Sequence, residues 1–166
     1  MRPYLWIYLV IVGSFALGMM VEAVRASMSD TAEARVTGIG GVFFKAREPQ
    51  KLAGWYREHL GIQLEPAGSG PTAPSFCAFE WREKGDPQKA GETVFAIFSD
   101  KSKYFDPSQA SYMINFRVAN LDRILAQLKK EGATVEEKTS DESNGRFGWA
   151  IDPEGNRFEL WEPKGN

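Results

Sequence analysis

The sequence predicts an α+β fold made of two copies of one βαβββ unit. Three observations carry that expectation: an internal repeat, a strand-type alternation opening each copy, and an amphipathic helix with start and stop signals in each. FFKAREPQKLAGWYREHLGIQLE, residues 43–65, sets beside NFRVANLDRILAQLKKEGATVEE, residues 115–137. Phe44 aligns with Phe116, Lys45 with Arg117 and Ala46 with Val118 at an offset of 72, and Gly61 with Gly132 at an offset of 71. A long repeat found twice reads as a duplicated supersecondary unit rather than a solenoid.

In the first copy, Val42, Phe44 and Ala46 alternate with Gly41, Phe43 and Lys45, as a strand with one apolar face does. Pro49 suits the first position of a helix. Leu52, Trp55, Tyr56 and Leu60 form its apolar stripe, and Gly61 suits the residue past its end. His59, the one histidine, falls in the last turn, where a surface role is expected. Strands are expected at about 61–66, 75–82 and 92–98. Cys77 is the one cysteine, so no intrachain disulfide forms; it reads as a small hydrophobe in a strand.

In the second copy, Ile114, Phe116 and Val118 alternate with Met113, Asn115 and Arg117. Asn120 can cap the helix, whose stripe is Leu121, Ile124, Leu125 and Leu128. Lys129 and Lys130 suit the C-terminal end of the helix dipole, and Gly132 ends the helix. Strands are expected at about 133–138, 146–152 and 156–162. The turn residues of DPEGN make the last two a hairpin. The modules thus run over about 36–100 and 110–163, within a domain covering 36–166.

The first 26 residues stand apart. Arg2 is followed by an uncharged run from Pro3 to Val21, at the border between a signal-peptide core and a membrane span. Two readings stay open: a cleaved signal peptide, or an uncleaved N-terminal membrane anchor. Both export the domain across the cytoplasmic membrane, to a periplasmic or extracellular location, with 27–35 as a linker. The net charge of −2, from 20 basic and 22 acidic residues, offers no basic footprint for nucleic acid.

Three stretches, WYREHLGI, FRVANLD and DPEGNRFELWEP, make the chain resemble the vicinal oxygen chelate superfamily. That superfamily includes glyoxalase I, extradiol dioxygenases and bleomycin-resistance proteins. The resemblance spans Val36–Pro163 and implies curved mixed sheets that form a cup with the site inside. It also implies up to four metal ligands, usually His and Glu, from the first and last strand of each module. The matching positions are Gly41, Phe95, Met113 and Glu159, and of these Glu159 alone carries a good ligand for a hard divalent ion. No metal or other cofactor is therefore expected. Glu80, on a neighbouring strand, is the carboxylate that could rescue a metal reading.

Combined with alternation, the resemblance lines the cup with Phe43, Lys45, Phe95, Ile97, Asn115 and Arg117, with Trp149 or its neighbours at the rim. Arg157, Glu159 and Trp161 share that face, while Phe158 and Leu160 face the helices. A buried carboxylate needs a partner, so Lys45 and Arg117 are expected beside Glu159. They would either close the cup as an ionic cluster or hold an anionic or carbonyl-bearing ligand beside Glu159 as a general base. Two function classes remain: a metal-free small-molecule-binding protein of the bleomycin-resistance type, or a glyoxalase-like lyase or isomerase using Glu159. A third, an interaction module, rests on exposed aromatics around Trp161 and Tyr104. The expected partners are a small-molecule ligand, a second copy in a homodimer, and the membrane if residues 1–26 stay attached.

Overall fold

The computed structural model describes residues 35–164; the expectations for residues 1–26 and for the linker as far as Ala34 lie outside them. The first module holds β1 (Val36–Ala46), α1 (Pro49–Leu60), β2 (Glu65–Pro66), β3 (Ser75–Arg82) and β4 (Ala90–Ser99). The second holds β5 (Tyr112–Val118), α2 (Leu121–Lys130), β6 (Thr134–Glu142), β7 (Gly145–Ile151) and β8 (Arg157–Pro163). A short 3-10 turn, Lys103–Phe105, lies between them. The strands form one curled sheet in the order β2-β3-β4-β1-β5-β8-β7-β6. Each module repeats the same pairing. β1 runs parallel to β4 and β5 parallel to β8, while β1 and β5 meet antiparallel at the seam.

The helix ends follow the sequence signals. Gly61 takes φ +70°, and the amides of Gly61 and Ile62 reach back to the carbonyls of Arg57 and Tyr56, closing α1. Asn120 accepts from the Arg123 amide at 3.0 Å, capping α2. At the β7–β8 turn Asp152 accepts from the amides of Glu154 and Asn156, both at 2.9 Å, and Gly155 supplies the positive φ. The expected strand at 61–66 contracts to two residues. Leu64 turns into the core beneath α1, and Pro66 has no amide to extend a ladder.

The sheet buries apolar residues on both faces. Outside, α1 packs Ala53 and Leu52 over Ile97, Phe44, Phe95 and the half-buried Cys77. α2 packs Leu121, Ile124 and Leu125 over Val118, Phe116, Leu160 and Phe158. Inside the curl, Phe43, Ala96, Phe105, Met113 and Trp149 form a third cluster.

This arrangement corrects two cup assignments. Phe95 and Ile97 lie on the outer face under α1, and the residues of β4 that face the cup are Val94, Ala96 and Phe98. The segment VFAIF is apolar at every position, because both faces of this strand are covered, so alternation had no polar member to set its parity. His59 sits exposed on α1, stacked 4.7 Å from Trp55, away from the cup.

Removing the α2 cap should cost what such caps usually contribute. Asn120→Ala is expected to destabilise the protein by about 1 kcal/mol in urea unfolding. An unchanged midpoint would show that the Glu162 carboxylate, which accepts from the Leu121 amide at 2.8 Å, holds the helix start alone.

Candidate functional site

Two adjacent parallel strands set out the floor of the cup. On β5 the inward side chains are Met113, Asn115 and Arg117; on β8 they are Arg157, Glu159 and Trp161. The register pairs Asn115 with Glu159 and Arg117 with Trp161. The cup therefore grades from Met113 and Arg157 at one end, through Asn115 and Glu159, to Arg117 and Trp161 at the other.

Glu159 is 1% exposed and its carboxylate is saturated with donors. Asn115 Nδ2 donates to Oε1 at 2.5 Å, Trp149 Nε1 donates to Oε2 at 2.8 Å, and the Tyr104 hydroxyl donates to Oε2 as well. Burial pushes the carboxyl above the ordinary glutamate range; the three donors and the nearby Arg157 charge pull it back by less. Burial, followed by the charge of Glu159, likewise pushes the Tyr104 phenol well up.

Aromatic packing closes this end. The Tyr104 ring stacks on Phe98 with centroids 5.3 Å apart and meets Trp149 edge-on at 6.5 Å. Arg157 lies 4.9 Å over the Trp149 ring and grips Glu136 through two bonds of 2.6 and 2.9 Å. It also donates to the Tyr104 carbonyl at 2.5 Å, pinning the 3-10 turn in place. On the far side of Glu159, Asn115 Oδ1 is buried without a hydrogen-bond donor among the described residues. A Cβ at Gly40 would overlap that oxygen and lie 2.8 Å from the Trp161 ring, so the close approach of β1 depends on this glycine.

Several expected site residues lie elsewhere. Lys45 does not reach Glu159; its Nζ stands 4.9 Å over the Phe105 ring. Arg117 binds Glu83 at 3.1 Å and lies 4.3 Å over Trp81. The predicted Lys45–Arg117–Glu159 ionic cluster does not form, because Lys45 and Arg117 lie toward opposite ends of the cup, on either side of the Asn115–Glu159 level. Glu80 lies at the open end with Glu92, not with Glu159. Trp149 is buried beside Glu159 instead of standing at the rim, since β7 places it directly opposite that residue. Trp161 is 4% exposed, stacked on Phe147, which removes it from the exposed aromatics. Phe43 lines the cup as expected. Tyr104 and the Arg157–Glu136 pair are partners of the site that the sequence pattern does not reveal. Alternation put Arg157 on the correct face, but Tyr104 belongs to an irregular connection where no periodicity exists to read.

The open end is a cleft of about 410 Å³. Glu80, Arg82 and Glu92 line it from the first module, and Arg117, Trp161 and Lys164 from the second. As for a metal, no group of three or more His, Cys, Asp or Glu side chains comes together among the described residues. Glu159 has both oxygens engaged, and the cup-facing residues around it are apolar, amide, aromatic or, in Arg157, cationic. That donor set does not fit a divalent ion.

The Glyoxalase-like domain family matches residues 41–161, and the chain belongs to that family, within the vicinal oxygen chelate superfamily. Among solved structures it is similar to methylmalonyl-CoA epimerase from Mycobacterium tuberculosis. That match has 20% identity, covers 77% of this chain and 89% of that one, and has a TM-score of 0.50. It is also similar to a Streptomyces coelicolor methylmalonyl-CoA epimerase variant in complex with 2-nitronate-propionyl-CoA, at 14% identity, 79% and 100% coverage and a TM-score of 0.57. A methylmalonyl-CoA epimerase in complex with methylmalonyl-CoA and NH4+ matches at 14% identity, 79% and 97% coverage and the same TM-score of 0.57. At these identities the likeness is one of fold. A comparison with curated protein sequences finds no match.

The raised carboxyl has a signed consequence. A carboxyl whose folded-state pKa is raised adds stability below the ordinary glutamate range and loses it as pH climbs through its folded value. Glu159→Gln has no proton to lose. The stability gap between wild type and Glu159→Gln should therefore move in favour of glutamine as pH rises from about 4 into the alkaline range. Urea unfolding at intervals across that range measures it, and a pH-independent gap would contradict the assignment.

Proposed function

We propose that this glyoxalase-like protein binds a small molecule in the Arg117–Trp161 cleft and does so without a metal ion. The observation that carries the reading is the state of Glu159. Its oxygens are taken by Tyr104, Asn115 and Trp149, so the depth of the cup is closed, while about 410 Å³ stays open at the mouth. The cleft is concave, with Trp161 in its wall and several charged side chains converging on it that can fix a ligand's orientation. Similar folds bound to CoA compounds support small-molecule binding in this architecture. The uncharged run Pro3–Val21 supports a protein exported across the cytoplasmic membrane or anchored in it. Among the described residues no helix is long and apolar enough to cross a membrane.

A second reading draws on one observation. A carboxyl pushed up by burial, in contact with a phenol, is the kind of pair that moves protons in lyases and isomerases. Tyr104 is 37% exposed and sits on a short turn, so its departure would uncover Glu159.

Two measurements separate these readings. Full-length protein, purified without a histidine tag, is incubated with zinc, nickel, manganese or iron, desalted and assayed for metal. The expected content is far below one ion per chain and unchanged in Glu159→Ala; near-stoichiometric metal lost in that variant would overturn the metal-free reading. A small-molecule library is then screened by thermal shift. A ligand at about 100 times its Kd should add about 2.7 kcal/mol of stability. Its fluorescence response should disappear in Trp161→Phe but persist in Tyr104→Phe; the reverse pattern would favour chemistry at Glu159.

A further inference from the structure

The charges around the cleft are arranged with more specificity than a generic pocket requires. Arg117 is 5% exposed and its guanidinium is fixed on three sides. Nε donates to Thr37 Oγ1 and Nη2 to Glu83 Oε1, both at 3.1 Å, and the Trp81 ring lies beneath it at 4.3 Å. Glu83 also holds Lys89 at 3.5 Å, so the Arg117–Glu83–Lys89 trio keeps a net positive charge. Nη1 makes no hydrogen bond to any described residue. It is not a sealed polar atom either, since among the described residues Asn115 Oδ1 is the buried side-chain atom in that condition. Arg117 lines this cleft and also a smaller one, of about 220 Å³, with Thr37, Glu83 and Lys89; Nη1 is the guanidinium nitrogen that neither Thr37 nor Glu83 engages, on a side chain whose ordering cost is already met by folding.

The opposite wall carries the complementary feature. Glu80 and Glu92 are direct cross-strand partners on β3 and β4, and both line the cleft. Like charges directly opposed in an antiparallel ladder destabilise it. Neither carboxylate has a hydrogen bond or ion pair with another described side chain. Arg82 stands opposite Ala90 at the strand end, and Lys164 is taken up by Asp141 and the Glu142 carbonyl. Glu80 is exposed and Glu92 half-buried, so water screens their repulsion in the free protein, and a cation seated between them would relieve it further.

Building on the reading of the cleft as the ligand site, we infer that the cleft takes a zwitterionic small molecule. Its anionic group lies on Arg117 Nη1, its ammonium lies between Glu80 and Glu92, and its body runs past the edge of Trp161. The two walls then fix both ends of the ligand and discriminate against molecules bearing one charge, because each would leave a charged wall without its counterpart.

The test uses full-length protein and ω-amino acids from glycine to 6-aminohexanoate, with L-phenylalanine, hexanoate and hexylamine as controls, measured by calorimetry. One chain length should bind best, and hexanoate and hexylamine should bind at least about tenfold more weakly, the loss of one charge-assisted contact. Glu80→Gln and Glu92→Gln should each weaken that amino acid by at least about tenfold, while melting no lower than wild type without ligand, since each removes the opposed pair. Hexanoate binding as tightly as the best amino acid, or tight binding retained in both glutamine variants, would overturn the inference. So would a series that fails throughout while an uncharged library compound binds in a Trp161-dependent way; that result would leave the cleft reading standing. Failure of both the series and the library would overturn the cleft reading itself.

Discussion

The cup is organised around one burial, that of the Glu159 carboxylate in the middle of the sheet. A charge removed from water must be supplied with donors, and three different parts of the chain supply them. β5 brings Asn115 by parallel register, β7 brings Trp149 by antiparallel register, and the inter-module turn brings Tyr104. The inter-module turn is thus tied to the second module at a polar centre, while the β1–β5 seam joins the two modules. The same contacts close off the part of the cup where this superfamily's metal enzymes would place their ion.

The cationic side chains follow from that closure. Each is drawn to a partner at its own level, and none collapses onto Glu159. Arg157 pairs with Glu136 and props the Tyr104 turn, Lys45 lies over Phe105, and Arg117 is set on Trp81 by Glu83 and Thr37. Successive inward residues on a strand are about 7 Å apart, so three charges along a cup wall act as three local sites. The result is a closed, neutralised end and an open end where charge is displayed.

The sequence carried the helix boundaries, the final hairpin, the duplication and the inward set on β5 and β8, because each rests on local chemistry: a proline, a glycine, an asparagine cap, or a strand with one polar face. The face of β4 could not be read, since VFAIF offers alternation no contrast. Glu159 stood out as a lone acid between apolar residues, but its partners did not. Tyr104 comes from an irregular connection between the modules, and only the folded chain brings it 55 residues along to the carboxylate. Lys45 and Arg117 share its face, yet distance along the strand separates them from it.

The central claim, a cup closed at Glu159 and open at Trp161, is tested most directly by hydrogen exchange at the indole N–H of Trp149. Exposed Trp55 serves as the fast-exchanging reference within the same molecule. The Trp149 indole N–H, buried and bonded to Glu159, should exchange only through large-scale unfolding and stay protected when a ligand saturates the cleft. Exchange of Trp149 as fast as that of Trp55, with or without ligand, would mean that the Tyr104 turn opens freely and that Glu159 faces the ligand after all.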